Sequence, residues 1–187
     1  MRANKEIIEN MQTAIVAGGC FWCTEAVYND VLGVSSVESG YIGGESENPT
    51  YREVCSGSTG HAEAVRITFN PEIVRYGDLL DIFFATHDPT QLNRQGNDVG
   101  TQNRSAIIPL DNTQKEEAQA AIERAQAAHD QPVVTTIEGP ATWYPAEDYH
   151  QEYWVNDGKR NPYCVATIPP KLQKLRKSFA GRVKPES

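Results

Sequence analysis

Two thiols and two aromatic rings occupy four consecutive positions, Cys20-Phe21-Trp22-Cys23, directly after Gly18-Gly19. Thr13-Ala14-Ile15-Val16-Ala17 reads as a short buried strand, the glycines as a turn and Phe21 onward as a helix, which sets Cys20 near a helix N-terminus. Unpaired N–H groups and the positive end of the helix dipole favour an anion there, and such surroundings lower a cysteine pKa from about 8.5 to roughly 3.5–7.5. A nucleophilic thiolate at Cys20 is the chemistry this predicts. On its own the Cys-x-x-Cys pair has three readings: a thiol-disulfide exchange site, half of a zinc site, or two small buried apolar groups. Zinc usually takes two close ligand pairs, whereas Cys55 and Cys164 are each isolated, so no metal is expected. Cys55 fits the buried-thiol reading best.

These groups need a scaffold. Val65, Ile67 and Phe69 alternate with Arg66 and Thr68 as in a half-buried strand, and Glu63 stands just before that run. Leu79, Leu80, Ile82, Phe83 and Phe84 follow at helical spacing until His87-Asp88-Pro89. Positions 43–49 and 88–100 are rich in glycine, asparagine and proline and predict long loops that line something. Ala106-Ile107-Ile108 predicts a third strand, Thr113 to Glu116 a capping box opening a helix to about Ala128, and Val133 to Ile137 a fourth strand. Trp143 to Trp154 has no clear period and reads as partly helical. The alternation predicts an α/β (α+β) two-layer sandwich in which helices cover a small sheet.

The chain of 187 residues is expected to form a single catalytic domain, with an extension over 1–12, a core over 13–168 and a basic tail over 169–187. A formal charge of -8 argues against nucleic acid as a partner, and Lys171 to Lys184 reads as a solvated helix. Met1 to Glu6 is polar and no signal peptide or membrane span follows it, so the expected compartment is the cytoplasm, where the four cysteines rest reduced.

Gly19-Cys20-Phe21-Trp22, Gly40-Tyr41-Ile42-Gly43-Gly44, Asn48-Pro49-Thr50-Tyr51, Gly60-His61-Ala62-Glu63-Ala64-Val65 and Gln95-Gly96-Asn97-Asp98, in that order and spacing, resemble the peptide methionine sulfoxide reductases of the A type over residues 13 to about 168. The resemblance implies a sandwich with a mixed sheet and a ferredoxin-like core, long active-site loops and an irregular C-terminal region. It implies reduction of the S epimer of methionine sulfoxide, free or in oxidised proteins, by a monomer that uses thioredoxin, or dithiothreitol in its stead, and no bound cofactor.

The residue types suit that reaction. A sulfoxide needs a nucleophile at sulfur, Cys20, and a proton for its oxygen, which a buried Glu63 with a raised pKa can hold. The resemblance assigns Tyr51 and Asp98 to the oxygen, by a hydroxyl and a held water. Phe21 and Trp22 are expected to wall in the S-methyl group, worth only about 0.8 kcal/mol and so more orienting than binding. Attack leaves a sulfenic acid, and the resemblance implies that a second cysteine then closes it to a disulfide. Cys164, near a C-terminal region expected to be mobile, is the favoured resolving thiol; Cys23 is the alternative, and the two can act in sequence. One departure stands out: Gly100-Thr101-Gln102-Asn103-Arg104-Ser105 carries Asn103 where the family usually has a second tyrosine. His61 and His150 are expected to have structural or surface roles and no part in the chemistry.

Overall fold

The computed structural model describes residues 10–186. Strand β1 (Gln12–Gly18) leads into α1 (Phe21–Asn29), β2 (Val34–Ile42), the short α2 (Tyr51–Cys55), β3 (Ala62–Phe69) and α3 (Tyr76–Thr86). The hairpin β4 (Arg94–Gln95) and β5 (Asp98–Val99) precedes β6 (Ser105–Ile108), α4 (Asn112–Ala127), β7 (Thr136–Ile137), β8 (Tyr144–Pro145), α5 (Tyr153–Asn156) and α6 (Pro162–Ser178).

The sheet runs β7-β6-β1-β3-β2-β8, and its inner four strands pair antiparallel. With α1 and α3 as the crossovers this is the ferredoxin-like β6-β1-β3-β2 order. The parallel β6–β7 pair makes the sheet mixed. The apolar run of β1 follows from burial on both faces. Ala14 and Val16 join the core built by α1, α3, α4 and α6, while Ile15 and Ala17 join Ile42, Ala64 and Ile108 on the opposite face.

Several local expectations change. Helix α4 starts earlier than the Thr113 box, because Asp111 accepts the Gln114 N–H at 2.7 Å and is the N-cap. The fourth strand shrinks to Thr136–Ile137, since Val134 instead gives its N–H to the Pro89 carbonyl at 2.8 Å. Trp143 to Trp154 divides into β8, a 3₁₀ turn at Asp148–His150 and the start of α5. The C-terminal region is not irregular: α6 runs through Pro169 and Pro170, held by the buried face of Cys164, Ile168, Leu172 and Leu175. That packing outweighs the hydrogen bonds the prolines remove. The chain beyond it folds back, as Val183 bridges Val31 and Lys184 N donates to the Asp30 carbonyl at 2.7 Å.

Candidate active site

Gly19 makes the turn that presents Cys20. Its φ of +95° lies in the left-handed region, and a Cβ there would stand 2.7 Å from Gln95 Cβ. Gln95 is fixed in turn, accepting the Asp88 N–H at 2.8 Å and donating to the Asp88 carbonyl at 2.9 Å. Strand β1, the hairpin and the loop before it are therefore locked at the nucleophile. Cys20 is the N-cap of α1, but its thiol does not cap the helix; its carbonyl accepts from Cys23 N at 3.1 Å.

The charge state of the thiols differs from expectation. A hydrogen bond to Cys23, burial, and the charges of Cys23 and Glu63 hold the Cys20 thiol well above its ordinary value. The same hydrogen bond pulls Cys23 down to about 7 against its burial, helped by Thr167 and Lys171. The helix terminus is therefore not the deciding influence on Cys20: of the two thiols, Cys23 is the more readily ionised.

Glu63 lies in β3 with only 4% of its surface exposed. Burial pushes its carboxyl up to about 8; the Phe21 N–H, 3.4 Å from Oε1, opposes this, while the charges of Asp98 and Cys23 add to it. Glu63 and Cys20 open into one cavity of about 280 Å³, with Tyr51, Asp98 and Trp22 also in its wall. Tyr51 begins α2, where Thr50 and Glu53 form a reciprocal cap and Glu147 accepts the Tyr51 N–H at 3.1 Å. Burial and the Glu63 charge keep its hydroxyl protonated far above neutrality, so it serves only as a neutral donor. Asp98 accepts the hydroxyl of Tyr163.

Trp22 is clamped, its ring stacked on Tyr153 at 4.0 Å and its Nε1 donating to His150 Nδ1 at 3.0 Å. Phe21 departs from its expected role: it is 1% exposed and does not face the cavity. Its ring backs Tyr51 at 6.1 Å and His150 at 5.0 Å. Cys164 is fully buried in the first turn of α6 rather than on a mobile tail, and burial with the Cys23 charge pushes its thiol up to about 11. Cys55, expected to be buried, is exposed and lines the cavity beside Tyr51. Asn103 is buried in a 3₁₀ turn and also faces the cavity. His61 ties the 43–46 loop, accepting from Gly44 N at 2.9 Å and meeting the Ser46 carbonyl at 2.7 Å.

Two contributors escaped the sequence reading. Tyr163 is adjacent to Cys164, and only the fold turns its hydroxyl into the cavity. Glu25 is buried in α1, where Oε1 accepts the Glu152 N–H at 2.7 Å and Oε2 accepts the Ser39 hydroxyl at 3.2 Å. It anchors the turn that carries Tyr153 to Trp22; a lone glutamate on an apolar helix face was its only signal.

A family model described as peptide methionine sulfoxide reductase matches residues 12–183. The chain belongs to the peptide methionine sulfoxide reductase family. It is 68% identical over 173 residues to the peptide methionine sulfoxide reductase MsrA of Erwinia tasmaniensis, covering 92% of this chain and 97% of the relative. Identity to the Deinococcus radiodurans MsrA is 55% over 175 residues, covering 92% of this chain and 84% of that one. Among solved structures, reduced Mxr1 from Saccharomyces cerevisiae superposes with a TM-score of 0.75 at 33% identity, covering 82% and 87% of the two chains. Methionine sulfoxide reductase A of Corynebacterium diphtheriae gives 0.71 at 34% identity, covering 79% of this chain and 76% of the other. The activity of this reductase is the thiol-based reduction of methionine sulfoxide in peptides. Among its described residues no helix is long and apolar enough to cross a membrane.

Proposed function

We propose that Cys20 is the nucleophile, Glu63 the proton donor and Cys23 the first resolving thiol in the reduction of the S epimer of methionine sulfoxide. The observation that carries this is a nucleophile and a carboxyl poised near 8 opening into one small cavity. Protonated Glu63 gives its proton to the sulfoxide oxygen while Tyr51 donates a hydrogen bond to it. The Cys20 thiol passes its own proton to the Cys23 thiolate as its sulfur attacks. The substrate S–O bond breaks as the oxygen passes to Cys20 Sγ, so methionine leaves reduced and Cys20 is left oxidised as a sulfenic acid. Asp98, oriented by Tyr163, holds a water beside the departing oxygen, and Trp22 contacts the S-methyl group.

Cys23 is preferred over Cys164 because it lies within one helical turn of Cys20 at the start of α1, whereas Cys164 is enclosed in α6. Cys164 then exchanges with the first disulfide, and thioredoxin, the donor the family implies, reduces the product. The protein works as a cytoplasmic monomer, a single catalytic unit, with no bound prosthetic group. The test is turnover of the separate S and R epimers of a blocked methionine sulfoxide with dithiothreitol, by wild type and Cys20→Ser. Reduction of the S epimer alone, abolished by the substitution, is the expected result. No turnover by folded wild type, or turnover that survives Cys20→Ser, overturns the reading.

A further inference from the structure

Cys164, Thr167 and Lys171 recur along α6 at spacings of three and four, so their side chains leave the helix on one side. Thr167 Oγ1 lies 3.5 Å from Cys23 Sγ. One turn further, the Lys171 ammonium turns inward and donates to the Thr86 carbonyl, at the end of α3, at 2.5 Å. Among the described residues it has no carboxylate partner within ion-pairing distance. The side chain is half-buried, with its other side on an open hollow. Towards α1, Thr167, one helical turn before Lys171, is the residue that touches Cys23 Sγ, so the lysine and that thiol stand on the same side of α6.

We propose that Lys171 is a positioning residue for the resolving step, holding positive charge behind α1 so that Cys23 attacks the Cys20 sulfenic acid as a thiolate. The proposal rests on the roles given above to Cys20 and Cys23. In the step, Cys23 Sγ donates an electron pair to Cys20 Sγ, the S–S bond forms and the Cys20 S–O bond breaks. The departing hydroxide takes one proton and leaves as water; the two thiol sulfurs end at disulfide level, and the sulfoxide is the oxidant already consumed.

The coupling is mutual. The Lys171 charge helps to lower Cys23, and the Cys23 and Cys20 thiols oppose the burial that draws Lys171 down. The other groups facing Lys171 do not substitute for it. Lys174, on α6, repels it. His87, at the end of α3, is pushed down to about 4 by burial and is neutral at physiological pH. Asp88, His129 and Asp130 line the same open hollow of about 730 Å³ as Lys171, and neither aspartate comes within ion-pairing distance of it.

The test compares wild type, Lys171→Met and Lys171→Arg in one turnover without reductant. Methionine release is quantified, and the disulfide is timed by acid quench and mapped by mass spectrometry across a pH series. Lys171→Met is expected to release methionine at the wild-type yield but to form the Cys20–Cys23 bond about threefold to tenfold more slowly at about pH 7. The sulfenic acid accumulates in that variant and is trapped by a dimedone probe. The deficit closes towards about pH 9.5, where the thiol ionises unaided, and Lys171→Arg restores the rate. If Lys171→Met does not fold, Lys171→Gln, which keeps an N–H for the Thr86 carbonyl without the charge, carries the same expectation. A wild-type disulfide rate in the neutral variant, or a deficit equal at every pH, overturns the proposal alone. A first disulfide in wild type that lacks Cys23 overturns the resolving assignment, and the role of Lys171 with it.

Discussion

Glu63→Gln is expected to make the protein more stable and much less active, and the size of each effect can be worked out. The substitution keeps the shape of the side chain and an oxygen to accept the Phe21 N–H, and removes only the ability to ionise. In the folded protein the carboxyl titrates at about 8 against 4.5 when free. Because burial raises the pKa, the group is neutral in the fold while it already ionises in the unfolded chain, so it opposes folding increasingly as pH rises from about 4.5 to about 8 and by a constant amount above. At about 1.4 kcal/mol per pH unit this comes to about 3 kcal/mol at pH 7 and close to zero at pH 4. For a chain of this length that is a rise in Tm of roughly 6–12 °C in the variant at neutral pH. Turnover falls by about 10² to 10⁴, the range typical for a lost general acid. Thermal unfolding of wild type and variant across the pH series, with S-epimer turnover measured alongside, checks both. A Tm difference independent of pH, or a variant less stable than wild type at pH 8, refutes the burial argument; near-normal turnover refutes the proton donor.

Asn103→Tyr is expected to raise turnover severalfold, because a hydroxyl then reaches into the cavity and one added hydrogen bond is worth about 1 kcal/mol; steady-state kinetics on the S epimer checks it. Tyr163→Phe frees the Asp98 carboxylate to rotate and lowers kcat about tenfold with little change in KM, read in the same assay. Glu25→Ala releases the Glu152 turn and with it the Tyr153 ring stacked on Trp22, so KM rises severalfold and Trp22 fluorescence shifts to the red as water reaches the indole.

Three of the four inner strands, β1, β3 and β6, were legible because their signals are local, the runs Ala14 to Ala17 and Ala106 to Ile108 and the alternation through Phe69; β2 was missed, because Ser35, Ser36, Glu38 and Gly40 leave only a weak alternation. The family motifs likewise picked out the Cys20, Tyr51, Glu63 and Asp98 that share one cavity. What failed depended on contacts distant in sequence. Helix α6 survives Pro169 and Pro170 because its apolar face lies on the core, which propensity cannot register. Cys20 stands at a helix start, yet its proton answers to Cys23, to burial and to Glu63 across the turn. Lys171 read as the start of a solvated helix until α6 packed beside α1, and Tyr163 carried no signal of its own.

The return of residues 182–184 to the end of α1 bears on the order in which the enzyme comes into being. Strands β1, β2, β3 and β6 are all synthesised by Ile108, so the inner sheet and the Cys20 turn can assemble before α4, α6 and the strap are made. Tyr163, Thr167 and the strap that pins Asp30 and Val31 come last. A nascent chain that stops short of Tyr163 thus has its nucleophile but neither the cavity wall nor the strap, and full competence waits for residues 163–184.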